Sequence, residues 1–366
     1  MTTKIEWADA TINPVVGCSH CSPGCDNCYA ERFAARLARN PKTAGKYKGV
    51  VDENGKWTGK ISERDESVFD RLPKTPKRIF IGSMTDLFFS GVADTPRQAV
   101  SLVGGGEVEF APDTMHVRVA MLLLQIGKHR QHTFMVLTKR AENMETVMKL
   151  MLKRPLPNLW LGVTVCNQAE ADEKIPVLLQ TPAAVRFVSV EPCLGPVDLG
   201  HLSWNIIDST AEKNALTGKT WIQGNCGESS QTLQGNRLDW VICGGETGPG
   251  ARPMHPDWVR GLRDQCQAAD VPFFFKSWGE WVPCSQCADD DPYIERLSRS
   301  TPYTEIGDDG ITDTDTGEGV ICRNGVNTEQ IFRVGKRRVG RLLDGVEHNE
   351  FPEMQASEGG EGPVFF

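Results

Sequence analysis

The sequence predicts an α/β fold, namely a partial or complete (β/α) barrel with inserted loops. The first observation is a repeated theme, in which a short apolar, β-branched run is followed by a helical stretch. Runs of this kind, separated by helices, are typical of a parallel sheet buried on both faces. The second observation is the length of 366 residues. One α/β barrel takes about 250 residues, so this chain has room for a barrel and for insertions.

The predicted strands are apolar runs that end in polar or small residues. They cover residues 12–17, 78–84, 133–138, 159–165, 185–191, 238–244 and 271–276. The predicted helices between and after them cover residues 30–38, 117–124, 140–152, 170–179 and 256–269. Pro256 and Asp257 favour the start of the last helix, because proline fits the first turn and an acid suits the positive end of the helix dipole.

Several stretches interrupt this pattern and divide the chain. The predicted organisation is a barrel over residues 1–283 with insertions at about 40–67 and 201–236, an acidic cysteine-containing insertion over 284–330, a segment over 331–352 that packs on the barrel, and a disordered tail over 353–366.

Composition limits the classes of function. The formal net charge of −8 argues against a protein that coats nucleic acid non-specifically, because such binding needs Lys and Arg to neutralise phosphates. A local basic groove remains compatible with this net charge, and Lys336, Arg337, Arg338 and Arg341 form one candidate.

The sequence also predicts no membrane span, because it contains no apolar run of about 18 residues. The N-terminus lacks the apolar stretch of a signal peptide. The sequence therefore predicts a cytoplasmic protein without membrane contact.

Twelve cysteines in such a protein indicate metal or redox chemistry rather than a disulfide framework, because cytosolic thiols are kept reduced. Cys21, Cys25 and Cys28 form C-x3-C-x2-C, and Cys18, Cys25 and Cys28 form C-x6-C-x2-C. Three thiolates on one loop suit a [4Fe–4S] cluster and leave one iron open to a further ligand. The alternative is structural zinc, although zinc pairs are usually separated by more than the three residues between Cys21 and Cys25.

The predicted strand ends carry polar, charged or glycine residues. In a (β/α) barrel, chemistry gathers at the carboxyl ends of the strands. Each of these residues alone is most simply a turn or a helix cap, but together on one side they predict a site. They are Cys18, Ser83, Thr85, Asp86, Thr138, Lys139, Arg140, Cys166, Glu191, Gly244, Gly245, Glu246 and Lys276.

A second C-x2-C pattern lies near the C-terminus. Cys284 and Cys287 form it, and Cys226 and Cys322 are candidate partners from the inserted segments. Four thiolates would make a second zinc or iron–sulfur site. The alternative is a set of unrelated surface cysteines, since the partners are distant in sequence.

Long motifs in fixed order resemble a known family. They include SPGCDNCYAER, RIFIGSMTDLF, FMVLTKRAENM, VRFVSVEP, VICGGETGPGARPMHP and VPFFFKSWGEW. This chain resembles the phage-associated three-Cys-motif family, which is related to the radical S-adenosylmethionine (SAM) superfamily, over most of residues 5–283 and again at 335–352. The resemblance implies a barrel of radical-SAM type that holds a [4Fe–4S] cluster and SAM. It also implies Cys18, Cys25 and Cys28 as ligands. The spacing of the residues equally allows Cys21, so Cys18 and Cys21 both remain candidates for the third position.

The resemblance also implies roles for the other strand-end residues. SAM contacts are expected from Tyr29, Ser83, Thr85, Asp86, Thr138, Lys139, Glu191, Gly244, Gly245 and Glu246. Substrate contacts are expected from Arg140, Arg252 and Lys276, because Arg and Lys hold anionic groups. Cys166 and Cys193 are candidate hydrogen donors to a product radical, although a buried cysteine is more often a small hydrophobe. Two positions depart from the family pattern: Cys166 stands where relatives commonly have Glu, and Ile12 stands where they have Trp.

The function implied is reductive cleavage of SAM followed by hydrogen abstraction from a substrate. The expected substrate is a nucleobase or a modified nucleotide in phage DNA, and the reaction could be a radical rearrangement or isomerisation. An external electron donor such as a flavodoxin is then required. Two alternatives stay open, namely a zinc-stabilised nucleic-acid-binding protein without catalysis and a radical-SAM activase of a protein partner.

Overall fold

A computed structural model describes residues 3–91, 98–101, 107–110, 114–206, 209–224, 231–286, 303–307, 312–313 and 328–353. Its strands, in chain order, are β1 (Ala10–Ile12), β2 (Arg78–Ile81), β3 (Gln98–Ser101), β4 (Glu107–Phe110), β5 (Thr133–Thr138), β6 (Leu159–Val165), β7 (Val185–Val190), β8 (Leu202–Ile206), β9 (Ser209–Lys213), β10 (Lys219–Gly224), β11 (Gln231–Gln234), β12 (Trp240–Gly244), β13 (Phe273–Ser277), β14 (Trp281–Pro283), β15 (Tyr303–Gly307), β16 (Thr312–Asp313), β17 (Thr328–Arg333), β18 (Leu342–Leu343) and β19 (Val346–Glu347). Its helices are α1 (Tyr29–Ala38), α2 (Ala44–Tyr47), α3 (Ser67–Asp70), α4 (Met115–Lys128), α5 (Ala141–Met151), α6 (Gln168–Gln180) and α7 (Pro256–Ala268).

The main sheet confirms the predicted α/β class. Seven strands take the order β1-β2-β5-β6-β7-β12-β13, and their described pairings are parallel. Strands β6 and β12 are buried along their whole length, as expected for strands covered on both faces. A seven-stranded parallel sheet is compatible with the predicted partial barrel.

The chain divides into two compact units. The first comprises Met1–Val163 and Gln180–Val185, and the second comprises Thr164–Leu179 and Arg186–Met354. In the first unit β1, β2 and β5 pair in register, and helices α4 and α5 carry buried apolar residues on one face. Thr114 caps the start of helix α4, since its hydroxyl accepts a hydrogen bond from the backbone N–H of Val117 and satisfies a donor that the first helical turn leaves without a partner.

The bounds of the first predicted strand are wrong. The sequence predicted a strand over residues 12–17, but β1 ends at Ile12. Pro14 has no N–H to donate to a neighbouring strand, and the side chain of Asn13 accepts the N–H of Met84 at 2.9 Å. The segment after β1 is therefore held by Asn13 and by backbone bonds outside the sheet, in which the N–H groups of Asp65 and Ser62 donate to the carbonyls of Pro14 and Val16, both at 2.8 Å. Within this segment, only Gly17 forms a ladder pairing, a parallel bridge with Thr85.

The second unit contains β7, β12 and β13 together with two antiparallel sheets. Strands β8 to β11 form one of these, in the order β11-β10-β9-β8, and β14 to β17 form the other, in the order β14-β17-β15-β16. The C-terminal segment lies against β12 and β13, since Trp240 Nε1 donates to the carbonyl of Glu350 at 2.9 Å and Phe275 N donates to that of His348 at 3.0 Å. No helix in the described part of the chain is long and apolar enough to cross a membrane.

Candidate functional site

The four cysteines that are candidate cluster ligands lie on one loop of the first unit, which we call the cysteine loop (residues 17–28). Cys25 ends a 3-10 turn whose first N–H groups are capped by Ser22, and Cys28 precedes the first turn of α1. All four cysteines are free thiols; Cys21 is exposed, Cys18 and Cys28 are half-buried, and Cys25 is buried. The loop thus carries four unpaired sulfurs between the end of β1 and the start of α1.

Gly17 fixes the start of the cysteine loop against the segment that leaves β2. Its N–H donates to the carbonyl of Met84 at 3.0 Å, and its carbonyl accepts the hydroxyl of Thr85 at 2.6 Å. The backbone here has φ of +117°, and a Cβ would lie 2.2 Å from the carbonyl oxygen of Lys60. Only glycine satisfies both conditions, so the loop start depends on this residue.

Asp86 is a buried carboxylate whose oxygens are fully used by neighbouring donors. Its Oδ1 accepts the hydroxyl of Thr138 at 2.7 Å and the N–H of Phe88 at 3.0 Å. Its Oδ2 accepts the N–H of Lys139 at 3.1 Å and Nη1 of Arg140 at 3.0 Å. A carboxylate has about four acceptor positions. Asp86 therefore joins the segment after β2 to the end of β5.

Arg140 links this carboxylate to the cysteine loop. Besides Asp86, its Nη1 lies 3.8 Å from Sγ of Cys18, and its Nη2 donates to the carbonyl and the hydroxyl of Ser19, both at 2.9 Å. The guanidinium also stacks over the ring of Phe89, 4.8 Å from its centroid. Only 13% of the side chain is exposed. Arg140 thus places a fixed positive charge beside a loop sulfur.

The loop thiols have different acidities. A hydrogen bond from the thiol of Cys21 lowers the pKa of Cys25, with further help from the charge of Lys139, and the same bond raises the pKa of Cys21. Burial raises the pKa of Cys18 to about 11, against the lowering effect of Arg140. Burial alone would lower the pKa of Arg140, but Asp86 and Cys18 outweigh it and raise that pKa.

Ser83 and Tyr29 complete the contacts between the loop and the end of β2. The hydroxyl of Tyr29, which is half-exposed, donates to the carbonyl of Ser83 at 2.7 Å. The side-chain amide of Asn13 donates to the hydroxyl of Ser83 at 3.0 Å. Three segments that are far apart in sequence, at residues 13–29, 83–86 and 138–140, are therefore joined in one hydrogen-bonded network.

Sequence reasoning missed Glu31, a buried carboxylate in the first turn of α1. Its oxygens accept His20 Nε2 at 3.0 Å, Lys56 Nζ at 2.9 Å and the N–H of Trp57 at 2.9 Å. Burial opposes ionisation, but these donors outweigh it and lower the pKa of Glu31. The available signal was an acid that directly follows Cys28-Tyr-Ala at a helix start, where negative charge is stabilised. Glu31 ties the cysteine loop to the segment after α2.

A cavity of about 420 Å³ lies beside β1 and α2 and borders this network at Asn13. Its lining includes Thr11, Asn13, Lys42, Lys46 and Tyr47. The ammonium of Lys46 donates to the carbonyl of Asn13 at 2.9 Å and lies 3.8 Å from Asp65. The lysine therefore satisfies a backbone carbonyl just after the end of β1.

The chemistry of the loop suits a metal cluster, although the side chains are not arranged around one. In the described part of the chain, no three Cys, His, Asp or Glu side chains are grouped closely enough to hold a metal. The donor set itself is four free thiols on 11 consecutive positions, with the guanidinium of Arg140 at hand to balance an anionic cluster. The residues thus fit a cluster in kind, and binding one requires rotation of cysteine side chains.

The second unit holds the remaining strand-end residues, and here opposite charges are paired. Lys276 Nζ donates to Oε1 of Glu191, close to Gly244, where a Cβ would lie 3.2 Å from Cβ of Lys276. Arg252 donates to both oxygens of Glu246, at 2.9 and 2.6 Å, and its backbone N–H donates to the same carboxylate at 2.7 Å. Arg252 and Lys276, the residues of this unit that were predicted to bind substrate, are therefore already paired with carboxylates.

Gly245 explains why the loop after β12 has two consecutive glycines. A Cβ at this position would lie 2.2 Å from the carbonyl oxygen of Trp278. The segment after β13 therefore passes directly over the segment after β12. Glu246, which follows, is 6% exposed, so the glycine brings a buried carboxylate to the strand end.

The cysteines of the second unit are buried. Cys166, Cys193 and Cys243 are all at most 1% exposed. A hydrogen bond with Cys193, together with burial, raises the pKa of Cys243 well above its ordinary value. The backbone N–H of Cys193 donates to the carbonyl of Gly244 at 3.0 Å. Of the second C-x2-C pattern, Cys284 is exposed, whereas Cys287, Cys226 and Cys322 lie outside the described residues.

Comparison with protein families identifies the chain by its sequence. A family model described as a protein of unknown function (DUF5131) matches residues 2–104 and 109–352. The chain belongs to DUF5131. The match spans both clusters of strand-end residues, those of the cysteine loop and those of the second unit. No curated protein and no solved structure matches this DUF5131 member.

Proposed function

We propose that this DUF5131 member is a radical SAM enzyme related to the phage-associated three-Cys-motif proteins. Its catalytic unit would be a partial barrel of radical-SAM type, with Cys25, Cys28 and one of Cys18 or Cys21 as ligands of a [4Fe–4S] cluster. With SAM, such a cluster supplies reductive cleavage and a 5′-deoxyadenosyl radical that abstracts hydrogen. The observation that carries the proposal is the contact of Arg140 with both Asp86 and Cys18, because it fixes a cation beside loop sulfurs at strand ends.

The roles of the chain's own residues follow from their contacts. Arg140 lowers the cost of assembling several thiolates, since a buried cation stabilises nearby negative charge. Asp86 is a positioning residue in this proposal, because its four acceptor positions are taken by Phe88, Thr138, Lys139 and Arg140. Tyr29, Ser83 and Thr85 shape the wall beside the loop and are the proposed contacts for SAM on this side.

The proposed substrate is a nucleobase or a modified nucleotide within a nucleic acid. Lys139 brings a cation to the carboxyl end of β5, and a cation there suits a substrate that carries phosphates. Arg140, which already holds Asp86 and Ser19, contributes only if substrate competes with these partners. A base in a duplex must leave its stack to reach an active site, at a cost of a few kcal/mol, which phosphate contacts help to offset. Lys276 and Arg252 belong to the same proposal only if substrate competes with Glu191 and Glu246 for them.

The decisive experiment is anaerobic reconstitution with iron and sulfide, followed by SAM and dithionite. We expect about four irons and four sulfides per chain, a brown colour, and 5′-deoxyadenosine detected by chromatography. The double variant Cys25→Ala/Cys28→Ala should lose the iron, the colour and the product. The double variant Cys166→Ala/Cys266→Ala removes two buried cysteines instead and should keep its iron. A colourless protein with one zinc, or loss of iron in both double variants, contradicts the proposal.

A further inference from the structure

The second unit carries a concentrated patch of positive charge that the proposed function does not use. Residues 331–343, from the end of β17 through β18, contain five Lys or Arg and no Asp or Glu, in a chain with a net charge of −8. Three of the five are consecutive and exposed, and we call them the basic turn (Lys336, Arg337 and Arg338). The fifth, Arg341, is engaged within the fold, since its Nε donates to the carbonyl of Lys276 at 3.0 Å.

The basic turn is held in a fixed place by Glu280. The N–H groups of Val334 and Gly335 donate to the carbonyl of Glu280, at 3.1 and 3.0 Å. The carboxylate of Glu280 accepts the N–H of Lys336 at 3.3 Å and that of Gly248 at 2.8 Å. Backbone amides therefore bind the carboxylate of Glu280 and hold the backbone of the exposed basic turn in place.

The same contacts place the basic turn next to the carboxyl end of β12. Gly248 belongs to the loop that follows Glu246, and its carbonyl accepts Nη2 of Arg333 at 3.2 Å. The guanidinium of Arg333 lies 5.7 Å from the ring centroid of Trp281. Four cations, Arg333 and the basic turn, thus border the strand-end loop, and the carboxylate of Glu280 lies among them.

We propose that the basic turn binds the phosphate backbone of a polynucleotide and guides it towards the strand ends of the second unit. Arg forks and Lys ammonium groups on an exposed turn suit phosphate oxygens, and consecutive cations suit a ligand with repeated charges. A flat anionic membrane fits less well, because the exposed Glu347 lies on the next hairpin, in a chain with a net charge of −8. The inference rests on the proposed function only in taking the substrate to be part of a nucleic acid.

The test measures binding by the full, anaerobically reconstituted chain. Fluorescence anisotropy of a labelled 20-nucleotide single strand, and of the matching duplex, is recorded across a series of KCl concentrations. The triple variant Lys336→Ala/Arg337→Ala/Arg338→Ala should lose at least about tenfold in affinity, and its slope of log affinity against log salt should fall by about two to three. The exchange variant Lys336→Arg/Arg337→Lys/Arg338→Lys keeps the charges and should retain binding.

A matched control removes three charges from exposed positions in the first unit. The variant Lys74→Ala/Lys77→Ala/Lys153→Ala changes the net charge equally and should alter affinity less than about twofold if the contact is local. The proposal is overturned by equal losses of affinity in both triple variants or by the absence of DNA binding in the unaltered chain. It is also overturned if the basic turn binds phosphatidylserine vesicles instead of DNA. Iron content and 5′-deoxyadenosine are measured on the same samples, so failure of the cluster and failure of the surface are seen separately.

Discussion

The two units use basic residues at their strand ends in opposite ways. In the first unit, Arg140 extends from the end of β5 to Ser19 and Cys18 of the cysteine loop, and its carboxylate partner Asp86 is shared with three other donors. In the second unit, Lys276 and Arg252 turn back onto Glu191 and Glu246. A cation that is hydrogen-bonded to a loop helps to position that loop. A cation that is ion-paired with one carboxylate must instead break that pair before it can bind a ligand.

The cysteines of the two units also differ, in their burial and in their availability to bind a metal. Those of the cysteine loop occupy a segment without regular strand pairing, and Cys21 is exposed. Cys166, Cys243 and Cys266 instead lie within or directly beside strands and helices and are fully buried. The same residue type is thus available for ligation in one unit and serves as a small apolar side chain in the other.

The largest expected effect concerns the third cluster ligand. Cys18→Ala should lose most of the reconstituted iron, because the C-x6-C-x2-C spacing includes Cys18 and the structure places its sulfur beside Arg140. Cys21→Ala should keep the iron, and Cys243→Ala in the second unit should keep it too. Iron and sulfide analysis with the visible absorption spectrum measures this. The reverse order for Cys18 and Cys21 would assign Cys21 as ligand and leave Cys18 to the Arg140 network.

The next effect compares the two arginines. Arg140→Ala leaves the buried carboxylate of Asp86 without its ion partner and should lower the free energy of unfolding by about 3 kcal/mol. Arg252→Ala should cost about 1 kcal/mol, because its side chain is 34% exposed and Glu246 keeps the backbone N–H of residue 252. Urea denaturation followed by fluorescence gives both values, with Arg140→Lys as the charge-conserving control. A larger loss for Arg252→Ala would contradict the difference drawn between the units.

The sequence predicted the sheet well because burial on both faces leaves a strong pattern. The bounds of β5 and β6 were predicted correctly, since both strands are apolar runs flanked by turns. The pattern failed at residues 13–17, where the side chain of Asn13 and backbone bonds from Ser62 and Asp65 replace strand pairing. It also gave no strands for residues 201–236, in which polar residues dominate the antiparallel strands β8 to β11.

The site was predictable by residue type but not by pairing. Spacing identified the cysteines, and strand ends identified Asp86 and Arg140, yet nothing in the sequence showed that these two would bond each other. Glu31 was missed because its partners His20 and Lys56 lie in separate segments. The hairpin at Asp344-Gly345 was also missed, although Asp-Gly is a known signal for such a turn and both residues have positive φ.

A smaller effect is expected in thiol labelling of the metal-free protein. Cys21 is exposed and its thiol lowers the pKa of Cys25, so this pair holds a thiolate at pH 8 and should react with iodoacetamide within minutes. Cys266 should stay unlabelled until the protein unfolds, because it is buried and because burial raises the pKa of its thiol to about 12, so that the reactive thiolate is absent at pH 8. Mass spectrometry of tryptic peptides measures both positions in one sample. Labelling of Cys266 at the rate of Cys21 would show that the second unit opens readily.

The smallest effect concerns an ion pair that belongs to neither strand-end cluster. Asp344 accepts hydrogen bonds from Arg260 and Arg263 of α7, and chiefly the bond from Arg260 holds the pKa of Asp344 well below its usual range. Its backbone has φ of 52°, which asparagine tolerates, so Asp344→Asn removes the charge without strain.

The sign of the pH dependence follows from this lowered pKa. The ion pair stabilises the fold fully above pH of about 4, where an unfolded Asp is ionised, and the stabilisation is lost as pH falls further. Because the side chain is 36% exposed, we expect the melting temperature of Asp344→Asn to lie only about 1–2 °C below that of the unaltered protein at pH 7. That difference should shrink at pH 3. Asp264→Asn, which removes a carboxylate that is 62% exposed, is the control and should show almost no difference at either pH. An equal deficit for Asp344→Asn at pH 7 and pH 3 would mean that Asp344 acts through the shape of its turn rather than through its charge.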